Sequence, residues 1–261
     1  MKLKTYTIDA FTDSLFSGNP AAVCVLEKWI SKELMQNIAL ENNLSETAFL
    51  VKTNDHYEIR WFTPTMEEDL CGHATLASAH VLFEFYETQK EILTFKSQKN
   101  GFLKVLKKDT KLFLDFPTDT LEEIETFTEI EKGLGQKPLE LYRGKVDFIA
   151  VLPSESDVKN LYPNFSELSK LKSRGLIVTA KGDKVDFVSR FFAPQCGIEE
   201  DPVTGSAHTS LTPLWSNKLN KKELSAKQLS KRGGTLYCFD KGKRTWIGGH
   251  SKLYLKGWIE I

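Results

Sequence analysis

A chain of 261 residues, 41% hydrophobic and 27% charged, has room for one large domain or two small ones, with a core that folds unaided. Its 35 Lys and Arg balance 35 Asp and Glu, which argues against a general attraction to nucleic acid or to an anionic membrane. No run approaches the roughly 18 consecutive apolar residues that cross a bilayer, and Met1-Lys2-Leu3-Lys4-Thr5 has no apolar signal core behind it.

In chain order, alternation around Tyr6, Ile8 and Ala10 predicts a strand over 3–11. Ser17-Gly18-Asn19-Pro20 is a turn signal, and 21–26 is a short apolar run of the kind a buried strand carries. Ser31 is a candidate N-cap for a helix through Leu34 and Ile38. Strands are expected at 47–51 and 57–62. A helix over 73–85 is apolar on several faces and therefore expected to be buried. Strands at 91–97, 101–107 and 111–116 precede Pro117-Thr118-Asp119, which interrupts the pattern and marks the expected domain boundary. The second half offers strands at 148–152, 176–180 and 186–192, an apolar helix at 206–219, and closing strands at 236–239, 244–248 and 253–261. Many strands with few, well-marked helices predict an α+β fold of two units: 1–116, completed by 253–261, and 117–252.

The cysteines Cys24, Cys71, Cys196 and Cys238 are widely spaced and form no CxxC pair. They read as reduced thiols and not as a disulfide frame or zinc site, which points to the cytoplasm. The basic cluster Lys218, Lys221, Lys222, Lys227, Lys231 and Arg232 is interleaved with polar residues and reads as a solvated helix or loop.

Two segments repeat one pattern. Arg60-Trp61-Phe62-Thr63-Pro64 is followed by Asp69-Leu70-Cys71-Gly72-His73-Ala74, and Arg190-Phe191-Phe192-Ala193-Pro194 by Asp201-Pro202-Val203-Thr204-Gly205-Ser206. Each reads as a strand ending, an acidic loop, an Asp, a Gly and a helix start, which indicates duplication. Glycine lets backbone approach a ligand. The first amides of a helix lack intrahelical acceptors and favour anions. Gly72, Gly205 and Ser206 are accordingly candidate binding positions for an anionic group, with Asn19 and Ser45 as weaker contacts by position.

Five segments together resemble the PhzF-like (phenazine biosynthesis-like) family: Phe16-Ser17-Gly18-Asn19-Pro20-Ala21-Ala22-Val23, Asn43-Leu44-Ser45-Glu46-Thr47-Ala48-Phe49, Asp69 to Thr75, Glu200 to His208, and Gln228 to Gly234. They lie in the family's order and span nearly the whole chain. The resemblance implies a diaminopimelate-epimerase-like fold of two pseudo-twofold-related halves, each a mostly antiparallel sheet wrapped around a central helix, with the active site in the cleft between them. It further implies an isomerase that shifts a proton on a small carboxylate substrate without metal or other cofactor, often as a homodimer.

Within that resemblance Glu46 is the general acid/base, and a partly desolvated carboxylate at the mouth of an apolar strand suits proton transfer. From the residues alone the simpler reading is a solvated or capped loop carboxylate. His73 is a candidate for positioning or protonating substrate, or for capping its helix. Asp201 orients the substrate or His73, or caps the second helix. His208 reads as structural. The matching segment of the second half, 172–178, has no Glu, which favours a single base. Cys71 stands where diaminopimelate epimerases carry a catalytic thiol, but the second-half loop has no thiol before Gly205. A Cys71-dependent racemase or epimerase and a non-catalytic ligand-binding protein on the same fold are the alternatives. Ser206, His208 and Asp201 form no nucleophile elbow, and a hydrolase is remote.

Overall fold

The structure is a computed structural model and describes residues 2–261; Met1, part of the amino-terminal stretch read above, lies outside the described residues. The elements run β1 (Lys2–Ala10), β2 (Asn19–Leu26), α1 (Lys32–Asn42), β3 (Glu46–Lys52), β4 (Tyr57–Phe62), β5 (Glu67–Glu68), α2 (Gly72–Phe85), β6 (Ile92–Ser97), β7 (Gly101–Lys108) and β8 (Lys111–Pro117). They continue with β9 (Glu122–Ile124), α3 (Thr128–Leu134), β10 (Glu140–Arg143), β11 (Asp147–Val151), α4 (Glu155–Lys159), α5 (Phe165–Leu168), β12 (Gly175–Lys181), β13 (Phe187–Phe192), α6 (His208–Leu219), β14 (Glu223–Gln228), β15 (Gly234–Asp240), β16 (Arg244–Gly249) and β17 (Ser251–Glu260). The chain forms two units, one of Met1–Asp115 with Gly248–Ile261 and one of Phe116–Ile247.

In unit 1 the strands pair in the order β17-β1-β2-β3-β4-β6-β7-β8, antiparallel except for β2 with β3 and β4 with β6. Helix α2 packs against β1, β2, β3 and β17. No side chain caps its N-cap residue, Cys71. Burial forms it instead: Ala74, Leu76, Ala77, Ala79, Val81 and Leu82 have no solvent exposure, and each of the larger ones contributes about 1.5–3 kcal/mol. Helix α1 is capped as expected, Ser31 Oγ accepting from the Leu34 amide at 3.2 Å. The turn between β1 and β2 is strained. Phe11 and Phe16 have φ of 61° and 67°, and the Phe16 amide donates to the buried Asp9 carboxylate at 3.0 Å. Gly18, at φ 70°, lies where a Cβ would meet the Ala10 carbonyl oxygen at 2.2 Å, so only glycine fits the close return that starts β2 at Asn19.

Unit 2 pairs as β9-β10-β11-β12-β13-β14-β15, antiparallel except for β11 with β12 and β13 with β14. From β1 to β7 and from β10 to β15 the alternation of parallel and antiparallel pairings is therefore the same. The side chains repeat it too. In unit 1, Arg60 Nε and Nη2 clamp Glu67 at 2.6 and 2.9 Å over the Phe62 ring. In unit 2, Arg190 Nε and Nη2 clamp Glu200 at 2.7 and 3.0 Å over Phe192. The Arg-x-Phe repeat of the sequence is a half-buried bidentate ion pair built twice.

Several expectations need correction. Helix α6 starts at His208, not Ser206, because residues 205–207 form a turn with i to i+3 bonds, His208 N–H to Gly205 and Thr209 N–H to Ser206, each 3.0 Å. The basic cluster read as solvated helix or loop contains strand β14, which buries Leu224, Ala226 and Gln228. Three of its lysines are matched by acids: Lys218 with Glu140, Lys221 with Asp186 and Lys222 with Asp240. Strands β5, β9 and β10 and helices α3, α4 and α5, each seven residues or fewer, did not stand out in the sequence.

Candidate active site

Four residues of unit 1 converge below the start of β3. Glu46 is the first residue of β3, Asn19 the first of β2, Cys71 the N-cap of α2 and His73 its second residue. The parallel pairing that sets Ala21 opposite Glu46 brings the starts of β2 and β3 side by side, and α2 lies against both strands. His73 Nε2 comes within 2.9 Å of Glu46 Oε2, with side chains 6% and 12% exposed. The approach is an ion contact: neither atom completes a directed hydrogen bond. On the other side of the ring, Nδ1 lies 3.3 Å from Asn19 Nδ2 and 3.5 Å from Cys71 Sγ. An amide N–H and a thiol both donate there, which leaves Nδ1 as acceptor and turns the Nε2 proton toward Glu46 in the neutral ring.

Burial opposes an imidazolium at His73. The sulfur of Cys71 and the carboxylate of Glu46 favour it, and the net direction is well above the ordinary histidine value. The Cys71 thiol is itself pushed up to about 11, first by burial and then by the Glu46 charge. It is uncharged near neutrality, so Glu46 is the anion that His73 faces. The activated thiolate expected in principle at a helix N-terminus is not what this environment favours. The His73 ring is engaged by Glu46, Asn19 and Cys71. Ser45 immediately precedes Glu46, and Gly72 opens α2.

The remaining expected residues lie in unit 2. Asp201 Oδ2 accepts from Thr204 Oγ1 at 2.5 Å, closing the loop ahead of α6. Ala207, the N-cap of α6, makes no side-chain cap bond. Gly205 and Ser206 occupy the turn before the helix. Ser206 Oγ accepts from Arg174 Nη1 at 2.9 Å. Arg174 also clamps the buried Asp147 through Nε (2.9 Å) and Nη2 and lies over the Phe191 ring. Burial lowers its pKa, but the Asp147 contact and the nearby charge of Asp201 raise it, for a net upward direction. Sequence reading passed over Arg174. Its one signal is its place directly before Gly175, the residue that opens the strand matching β3.

His208 is structural, as expected. It is fully buried against Phe187, its Nδ1–H donates to the Thr204 carbonyl at 2.9 Å, and burial lowers its pKa to about 4. Ser206 engages Arg174 and His208 engages a carbonyl, so these two do not form the Ser–His pair of a hydrolase. Among the described residues no cysteine forms a disulfide, and no helix is long and apolar enough to cross a membrane.

Comparison with known proteins places this geometry. The family described as "Phenazine biosynthesis-like protein" matches residues 8–257. The chain is 49% identical to an uncharacterized isomerase of Pseudomonas aeruginosa over the full length of both. It shares 52% identity and a TM-score of 0.97 with the crystal structure of a PhzF-family phenazine biosynthesis protein from Enterococcus faecalis, again over 100% of each chain. A hydroxyproline epimerase from Agrobacterium vitis, crystallised with trans-4-hydroxy-L-proline, has a TM-score of 0.65 at 11% identity over 99% of this chain and 92% of its own, which shows a shared α+β epimerase-like fold alone. The chain thus belongs to the phenazine biosynthesis-like (PhzF) family, and it is an isomerase of that family.

Proposed function

We propose that the protein relocates a proton on a small carboxylate substrate, with Glu46 as the single acid/base. The observation that carries this reading is the buried 2.9 Å contact between Glu46 Oε2 and His73 Nε2. As a carboxylate, Glu46 takes a proton from a substrate carbon, and the electron pair of that C–H bond delocalises into the adjacent unsaturated system. The resulting carboxylic acid exchanges its proton with solvent and delivers a proton to another carbon of that system. One C–H bond breaks and one forms, and no electrons enter or leave. His73 holds the carboxylate in place and balances its charge. Gly205, Ser206 and Gly72 are assigned to the substrate carboxylate, with Arg174 added beside Ser206 and Asp201 as an orienting group.

The cysteine alternative is weaker, because a thiol pushed up to about 11 is a poor base near neutrality. Thr204, directly before Gly205 as Cys71 is before Gly72, is no second thiol. A panel of cyclic and acyclic unsaturated carboxylates incubated with the protein in D₂O, read by mass spectrometry, tests the proposal. The expected result is deuterium incorporation that falls at least 100-fold in Glu46→Gln. Incorporation at the wild-type rate in that variant overturns it. A homodimer is the accompanying proposal, and a light-scattering mass near the 29.7 kDa of one chain contradicts it.

A further inference from the structure

The residues around His73 form a second kind of site. Glu46, Cys71 and His73 offer a carboxylate oxygen, a sulfur and an imidazole nitrogen that lie within 4.8 Å of one another. This is the donor set of a soft to borderline divalent cation and is poorly suited to Mg²⁺ or Ca²⁺. Two ligands on one tetrahedral zinc, with bonds of about 2.3 Å to sulfur and 2.0–2.1 Å to nitrogen, stand about 3.5 Å apart. Cys71 Sγ and His73 Nδ1 are already separated by 3.5 Å. His73 Nε2 and Glu46 Oε2, in ion contact with each other at 2.9 Å, complete the cluster. The side chain of Glu46, 12% exposed, marks the side from which an ion enters.

We propose that the Glu46–Cys71–His73 cluster binds a thiophilic divalent cation, Zn²⁺ in class, which closes the isomerase site. The metal bridges Cys71 Sγ and His73 Nδ1 and displaces the Asn19 contact, and the Glu46 carboxylate swings onto it as the third ligand. The S–H bond of Cys71 breaks, an S–Zn bond forms, one proton leaves to solvent, and no electron moves. Three protein ligands leave a fourth position for water. Inhibition follows because a carboxylate bound to metal no longer takes a proton from substrate. The inhibitory consequence rests on the functional reading above, whereas the binding itself does not.

The test uses the full-length protein with Zn²⁺ and, as its spectroscopic stand-in, Co²⁺. The expected result is one Zn²⁺ per chain retained through gel filtration, with a thiolate-to-cobalt charge-transfer band in the Co²⁺ form. Cys71→Ser removes the band and weakens Zn²⁺ binding by about 100-fold or more, Glu46→Gln weakens it by a smaller factor, and Cys196→Ser at the exposed thiol leaves both unchanged. A band that survives Cys71→Ser, a band lost in Cys196→Ser, or no retained metal overturns the proposal. The variants' circular dichroism checks that each is folded. If metal is not bound while Glu46→Gln still abolishes deuterium exchange, the metal site falls and the isomerase reading stands. If metal binds at Cys71 while Glu46→Gln exchanges normally, the isomerase assignment falls and the metal site stands.

Discussion

In unit 1, the first residue of β3 is Glu46, and its carboxylate meets His73, one residue beyond Gly72. In unit 2, the first residue of β12 is Gly175. The residue before it, Arg174, reaches Ser206, one residue beyond Gly205. The strand registers make these places equivalent: Thr47 faces Phe62 in unit 1, and Leu176 faces Phe192 in unit 2. One layout carries a carboxylate with an imidazole and the other a guanidinium with a hydroxyl. The supporting structure did not diverge in this way. Arg60–Glu67 and Arg190–Glu200 keep the same clamp. At the helix starts, Thr75 Oγ1 donates to the Cys71 carbonyl at 2.6 Å and His208 Nδ1 to the Thr204 carbonyl at 2.9 Å, the same four-residue back-bond. Duplication thus preserved the scaffold and freed the strand mouths to take different chemistry.

The largest effect expected from this asymmetry is the loss of at least 100-fold in deuterium exchange in Glu46→Gln. The next breaks the shared scaffold. Arg190→Met leaves Glu200 buried without its partner and also strips donors from the carbonyls of Val158 (3.2 Å) and Leu161 (2.7 Å). The expected loss is about 3–5 kcal/mol in urea unfolding. Arg60→Met is expected to lose less, because Lys32, 2.7 Å from Glu67, still neutralises that carboxylate. Equal losses would show that the neighbouring charges do not matter.

These comparisons also show where the sequence was legible. Arg-x-Phe-x-Pro, Gly72 and Gly205 announced the duplication because they lie in strand and helix starts of fixed spacing. The acids that complete the clamps did not, since Glu67 lies seven residues after Arg60 and Glu200 ten after Arg190, in loops of different length. Glu46 was found through its motif. Its meeting with His73, 27 positions away, depends on β2, β3 and α2 packing together, which no local pattern encodes. Arg174 was passed over in Lys172-Ser173-Arg174-Gly175, and only folding reveals the buried Asp147 that holds it. Strand β14 was hidden because its exposed face is polar and its buried face is carried by the modest residues Leu224, Ala226 and Gln228.

A fourth substitution asks why unit 2 has no counterpart to Glu46. A Cβ at Gly175 would meet Phe191 Cζ at 2.4 Å, Cε2 at 2.7 Å and the Phe192 carbonyl oxygen at 2.8 Å. Phe191 fills the space that a side chain needs, so no carboxylate fits there without moving the ring and the strand. Gly175→Ala is expected to lower stability by about 1–3 kcal/mol, a fall in Tm of about 2–4 °C for each kcal/mol. An unchanged Tm would mean that packing does not enforce the asymmetry.

The two helix-start histidines supply a pH contrast. His73 is pushed up and His208 down, to about 4 from an ordinary 6.5, by burial that the Thr204 carbonyl only partly offsets. Between those two values the unfolded chain binds a proton at His208 and the folded chain does not, so stability rises with pH across that window. The contribution is complete above about pH 6.5 and shrinks as pH falls, by about 2 kcal/mol at pH 5. Urea unfolding at pH 5 and pH 7.5 measures it, and His208→Gln flattens the difference. A slope that persists in His208→Gln assigns it elsewhere.

The smallest expected effect separates the two chemistries available at the strand mouth. In Cys71→Ser a hydroxyl takes the thiol's place beside His73 Nδ1 and donates as the thiol did, so the imidazole keeps its orientation toward Glu46. Because the thiol is uncharged near neutrality, its replacement removes no charge that His73 or the substrate feels. Exchange is therefore expected to fall less than tenfold, with the loss in kcat and KM nearly constant, since only the fine placement of His73 changes. A thiol that served as the base would give the reverse: Cys71→Ser would lose exchange by several orders of magnitude, and Glu46→Gln, which relieves the charge that raises the Cys71 pKa, would retain it. The ratio of the two variants' exchange rates thus decides which atom at the start of β3 and α2 carries the proton.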